Sequence, residues 1–246
     1  MKTKNNTVLI TGGSSGIGLE LSKAFIEKGN KVIICGRSKE NLDAAKSAAP
    51  DLITYQCDLS DSKECSHLTK KITENYPDLN ILINNAAIVH KASFMVDTQI
   101  LEKLDAELQT NFVAPIQLIN QLIPVLERNK NAEIINITTG LIYAPRAIYP
   151  FYNATKAALH SFTQVLRLQM AGRKIKITEV MFPAVNTPWH KGNPPKIAIS
   201  AKEAAYEMIK GLEKGKDEIR VKGAKLIYIL SRIAPGFALR KINSLK

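Results

Sequence analysis

The sequence is short of cysteine, of aromatics and of long apolar runs, and each shortage excludes something. Its 246 residues hold three cysteines, Cys35, Cys57 and Cys65, and one tryptophan. An odd, small number of cysteines in a chain of this length argues against a disulfide framework and for a reducing compartment. Cys57, Cys65 and His67 lack zinc-site spacing, so no metal is expected. No stretch approaches the roughly 20 apolar residues that a membrane-spanning helix needs. The start, Met1-Lys2-Thr3-Lys4, is basic, but the apolar run Val8-Leu9-Ile10 is far shorter than a signal-peptide core. These features predict a cytoplasmic protein.

What is present is ordinary for a globular chain, with 45% hydrophobic and 23% charged residues. The net charge of +12 is uneven: residues 214–246 hold nine Lys or Arg against two acids. The excess is thus mainly a property of the tail, and no nucleic-acid partner is expected.

Short β-branched runs alternate with longer segments of helical apolar spacing. "TVLIT" (7–11), "KVIICG" (31–36), "LITYQC" (52–57), "NILIN" (80–84), "AEIINITT" (132–139) and "KIKITEVMF" (174–182) read as strands. Strands with so few alternating polar residues suit a parallel sheet covered on both faces. The expected fold is α/β: a single Rossmann-type, doubly wound parallel sheet of about seven strands with helices on both faces. Residues 1–223 are expected to form the dinucleotide-binding and catalytic domain, with a substrate loop at 187–200, and 224–246 a basic apolar tail.

"VLITGGSSGIGLEL" places glycines directly after the first strand and before a helix. Gly12, Gly16 and Gly18 permit a tight turn and close backbone approach, and the helix start offers free amides to a pyrophosphate. A NAD-binding chain usually has an acid about 20 residues further on, to hold the ribose 2′-hydroxyl. Here "CGRSKE" puts Gly36 and Arg37 in that place. A guanidinium pairs with a 2′-phosphate, so NADP(H) is the preferred cofactor and NAD(H) the alternative. Further strand ends carry Asp58 and Leu59 in "YQCDLSD", Asn84 in "INNAAI", and Thr139 in "NITTG". Asp58 suits either an adenine amino group or a helix cap.

In "YPFYNATKAALHSF", Tyr152 and Lys156 stand four apart, hence on one face of a helix. A nearby cation stabilises phenolate, so the pair is a candidate for acid/base chemistry, with the Lys156 charge expected to lower the phenol.

In their order, "TGGSSGIG", "NNAA", "TN" (110–111), "ITTG", "YNATK" and "VNT" (185–187) resemble the motifs of the short-chain dehydrogenase/reductase family. "NNTVLITGG", "VIICGRS" and "ATKAALHSF" resemble its DltE-like bacterial branch. The resemblance implies hydride exchange between a nicotinamide and a small-molecule carbonyl or alcohol. Tyr152 is then the acid/base, Lys156 its partner and a holder of the nicotinamide ribose, Thr139 stands in the usual serine position, and Asn111 supports a proton relay. Cofactor contacts are implied for Ser14, Ser15, Ile17, Asn84, Ala86, Val185 and Thr187. A homodimer or homotetramer is implied, with the Tyr152 helix at a dimer interface. Phe182-Pro183 replaces the family's usual Pro-Gly, and proline cannot adopt the positive φ open to glycine.

Two points stay open in the sequence. The tail, divided by Pro235-Gly236, suits either packing on the domain or peripheral membrane contact. The alternative to catalysis is a nucleotide-binding sensor or scaffold in an envelope-related pathway.

Overall fold

The computed structural model of the chain describes residues 3–190 and 192–245. Strand β1 (Thr7–Thr11) leads through the glycine turn into helix α1 (Gly16–Glu27), and β2 (Lys31–Gly36) into α2 (Lys39–Ala48). β3 (Ile53–Gln56) precedes α3 (Ser62–Asn75), and β4 (Leu79–Asn84) precedes α4 (Ile100–Leu108). A π-helical turn, Gln109–Val113, joins α4 to α5 (Ala114–Arg128). β5 (Glu133–Thr139), α6 (Pro150–Gln169) and β6 (Lys176–Phe182) follow. The short strands β7 (Val185–Asn186) and β8 (Ile199–Ser200) pair with each other, before α7 (Ala201–Glu213) and β9 (Glu218–Arg220). Helices α8 (Gly223–Ile233) and α9 (Pro235–Ser244) follow.

Seven strands form one sheet in the order β3-β2-β1-β4-β5-β6-β9, every pair parallel. All five residues of β1, all six of β4 and all seven of β5 are buried, as a two-sided sheet requires. One face carries Leu21 and Phe25 of α1, Leu42 of α2 and Met208 and Leu212 of α7. The other carries Leu68 and Ile72 of α3, Leu118 and Leu122 of α5 and Leu166 of α6. Each such fully buried side chain contributes about 1.5–3 kcal/mol through removal from water. β9, too short and charged to read as a strand in the sequence, forms because Glu218, Ile219 and Arg220 pair with β6 at the sheet edge.

The strand order reverses between β1 and β4: from β1 the sheet grows one way to β2, and from β4 the other way to β5. A crevice opens at the carboxyl ends of strands at such a reversal. Helix α6 starts beside it, its first turn set by Pro150, whose missing N–H costs nothing at that position.

Candidate active site

At the switch point lies a cavity of about 710 Å³ whose walls run from the glycine turn to α9. Gly12, with φ of +63°, could not take a side chain, since a Cβ would stand 2.9 Å from the Ala86 Cα. At Gly18 a Cβ would lie 2.2 Å from the Gly12 carbonyl oxygen. These approaches bring β1, α1 and the end of β4 together. The Ser15 side chain makes no cap hydrogen bond, which leaves the first-turn amides of α1 without a side-chain cap, and Ser14, Ser15, Gly16 and Ile17 line the cavity there. This is a cradle suited to a pyrophosphate.

At the end of β2, Gly36 and Arg37 line the cavity. No carboxylate among the described residues lies within ion-pair distance of Arg37. Asp58 and Leu59, beyond β3, also line it. Asp58 Oδ1 accepts from the Ser60 amide (2.9 Å) and hydroxyl (2.8 Å). Those bonds, helped by the charge of Arg37, hold its carboxyl below the usual range despite partial burial. The cap of α3 is instead Asp61, which accepts from the Lys63 amide at 2.7 Å.

Thr139 at the end of β5, and Tyr152 and Lys156 one turn apart on α6, line the same cavity. The phenol of Tyr152 hydrogen-bonds with Thr139, which tends to lower its pKa, but burial outweighs this and pushes it up to about 12, with the charge of Glu107 adding to the rise. Lys156 is 2% exposed, and its Nζ donates to the Ile137 carbonyl at 2.8 Å. Burial brings it down to about 8, against the opposing pull of Glu179. The sequence expectation that Lys156 lowers the Tyr152 phenol is therefore not met here. The amine is held by β5, and desolvation dominates the phenol.

Val185 and Thr187 line the cavity as well, on a segment anchored by the β7–β8 pair. Pro183 is accommodated because Gly223 has no side chain, a Cβ there lying 3.2 Å from the Pro183 Cβ. Two expected residues stand off the cavity. Asn84 is the last residue of β4 and in register with Asn136, to which its amide donates at 2.8 Å. The next residue, Asn85, turns toward the crevice and lines it with Ala86. Asn111 sits behind the wall in the π-helical turn, its amide donating to the Ile88 carbonyl (2.8 Å) and the Thr155 hydroxyl (3.3 Å) and its oxygen accepting from the Ile88 amide (2.8 Å). π-bulges recur at functional sites.

Sequence reading missed the two buried carboxylates whose charge reaches Tyr152 and Lys156. Glu107 accepts from the His90 amide at 2.6 Å and lies 3.0 Å from its Nδ1; burial raises its pKa. Glu179 accepts from the Thr138 hydroxyl at 2.5 Å and lies 2.8 Å from His160 Nδ1. The available signal was an acid inside an apolar run, as in "KITEVMF".

The tail closes the other end of the cavity with Leu226, Ile227, Leu230, Lys241, Ile242 and Leu245. Ala238 and Ile242 pack with Ala144, Leu141 and Ile227, and Arg146 donates to the Leu245 carbonyl at 2.5 Å.

A family model described as short chain dehydrogenase matches residues 6–197. The chain belongs to this family. It is an enzyme of the short-chain dehydrogenase/reductase type, in the DltE-like branch. It is 42% identical over 233 residues to the uncharacterized oxidoreductase DltE of Bacillus subtilis (strain 168), covering 92% of each chain. A fatty acyl-CoA reductase of Acinetobacter baylyi is 30% identical over 241 residues, covering 94% of this chain and 81% of the relative. A short-chain dehydrogenase from Burkholderia cenocepacia, solved in complex with NADP, shares the fold with a TM-score of 0.86 at 22% identity, covering 98% of this chain and 99% of that one. The likeness to that structure extends past residue 197, where the family model ends.

Proposed function

We propose that this short-chain dehydrogenase is an NADP(H)-dependent oxidoreductase acting on a carbonyl or secondary alcohol, with Tyr152 as its acid/base. The observation that carries this reading is the gathering of Thr139, Tyr152 and Lys156 at one cavity with the glycine cradle of Gly12, Gly16 and Gly18. When bound, the nicotinamide supplies or accepts hydride. Tyr152, protonated at neutral pH, gives its proton to the substrate oxygen in reduction and takes it back in oxidation. Thr139 holds that oxygen. Lys156, mostly charged below about pH 8, supplies a donor for a ribose hydroxyl. Asn111 positions the Ile88 segment and α6 behind them.

Arg37, free of a salt bridge and on the cavity wall, favours NADP(H) over NAD(H). The cavity wall opposite the cradle is apolar, with Leu141, Ile227, Leu230 and Leu245, so the carbonyl compound has an apolar body. The fatty acyl-CoA reductase among the relatives supports that choice. Residues 1–223 would be the catalytic unit and 224–246 the wall that completes its substrate end. Exposed Leu101, Val165 and Leu168 on α4 and α6 favour a homodimer across those helices.

A panel of aldehydes, ketones and secondary alcohols, followed through NADPH absorbance, tests the reading. Turnover that vanishes in Tyr152→Phe supports it. NADPH binding without turnover on any substrate would favour a nucleotide sensor or scaffold.

A further inference from the structure

Helices α8 and α9 bury one set of apolar side chains against the domain and leave another set exposed. Ala224, Ile227, Leu230, Ala238 and Ile242 turn inward onto Gly140, Leu141 and Ala144. A second row on α8, flanking the first and sharing its edge at Leu226, carries Leu226, Ile229 and Ile233 at helical spacing, 57%, 41% and 78% exposed. On α9, Phe237 and Leu239 are 51% and 44% exposed. Phe237 and Leu239 flank the buried Ala238 and Ile242 on either side, so α8 and α9 keep several apolar side chains in solvent although the same helices bury others.

Charge indicates what covers them. After Glu218 the sequence contains no acid, and Lys225, Arg232, Arg240 and Lys241 are interspersed with the exposed apolar residues along α8 and α9. No carboxylate among the described residues pairs with any of the four. A second copy of this face would set cations against cations. An anionic lipid surface offers both a home for the apolar side chains and compensation for the charge.

Continuity with the cavity points the same way. Leu226 and Lys241 belong at once to the outer face and to the cavity wall. The neighbouring wall residues Trp189 and Ile197 are also exposed, at 43% and 56%. The mouth of the site is therefore rimmed by apolar side chains beside the basic face.

We propose that α8 and α9 dock the enzyme on an anionic lipid surface, with the cavity mouth held in the interface so that an apolar substrate enters from the lipid. The proposal goes beyond the oxidoreductase reading, and its docking step is measured without turnover.

Full-length protein is co-sedimented with vesicles of phosphatidylcholine alone and of phosphatidylcholine with phosphatidylglycerol, at low and high salt. Binding to the mixed vesicles only, weakened by salt, is expected. Lys225→Gln with Arg240→Gln reduces that binding by about fivefold for each cation removed. Ile233→Ser with Phe237→Ser abolishes it. Unchanged NADPH binding in both double variants shows that the fold is intact. The proposal is overturned if mixed vesicles do not bind the protein, or if neutral vesicles bind it equally well. It is also overturned if the Ile233/Phe237 variant turns a dimer into a monomer in sedimentation, because a second copy then covers this face.

Discussion

Lys156 on α6 lies in the field of Glu179 on β6, and both side chains are buried. Glu179 opposes the desolvation that pulls the amine down to about 8. Glu179→Gln keeps an acceptor for Thr138 but removes this charge, so the Lys156 pKa falls further. In carbonyl reduction the alkaline limb of kcat/KM, set by loss of the Lys156 proton, then moves to lower pH. A pH–rate profile that superimposes on wild type would show that the amine does not feel Glu179.

Burying the Lys156 ammonium also has a stability cost. Its folded pKa of about 8 lies below the ordinary 10.5. Below pH 8 both folded and unfolded states carry the proton, and the cost is present in full. Between pH 8 and 10.5 only the unfolded state retains it, so this group's contribution makes stability rise with pH. Lys156→Met is expected to be inactive yet more resistant to urea at pH 7, with the advantage over wild type narrowing by pH 9.

Tyr152→Phe removes the proton donor and leaves the ring. Turnover is expected to fall by roughly 10²–10⁴, the range for lost acid/base catalysis, while NADPH affinity stays near wild type. Stopped-flow and fluorescence titration separate the two quantities.

Arg37→Ala is expected to weaken NADPH by roughly ten- to a hundredfold, as loss of a charge-assisted hydrogen bond predicts, and to leave NADH almost unchanged. Equal loss for both nucleotides would mean that Arg37 does not read the 2′-phosphate.

Gly18→Ala tests the close approach of α1 to the glycine turn. The added Cβ meets the Gly12 carbonyl oxygen at 2.2 Å, a clash with backbone that cannot swing away. A destabilisation of about 1–3 kcal/mol is expected from overpacking, read as a lower urea midpoint.

Much of the architecture was legible because its signals are local. The six β-branched runs fall on β1 to β6 within one or two residues, since short apolar runs between turn residues have few other places to go. The order of motifs placed the glycine turn, Thr139, Tyr152 and Lys156 around one crevice. Asn84 was harder, because a single residue at a strand end decides between sheet and cavity, and register with Asn136 took it inward. Glu107 and Glu179 were not visible as site neighbours, because their partners His90 and His160 are 17 and 19 residues away in sequence.

The amino-acid order by itself determined the parallel sheet, the switch point and the identity of the groups that meet there, because period, turn chemistry and helix spacing act over a few residues. Only the tertiary structure decided how those groups are charged and what surrounds them. Burial, not the neighbouring amine, sets the Tyr152 phenol, and Glu179 reaches Lys156 from another element. Which of the tail's apolar side chains are buried was likewise undecided until α8 and α9 had docked against Gly140 and Ala144. Desolvation and the choice of which apolar side stays outside depend on contacts between distant segments, which no local pattern encodes.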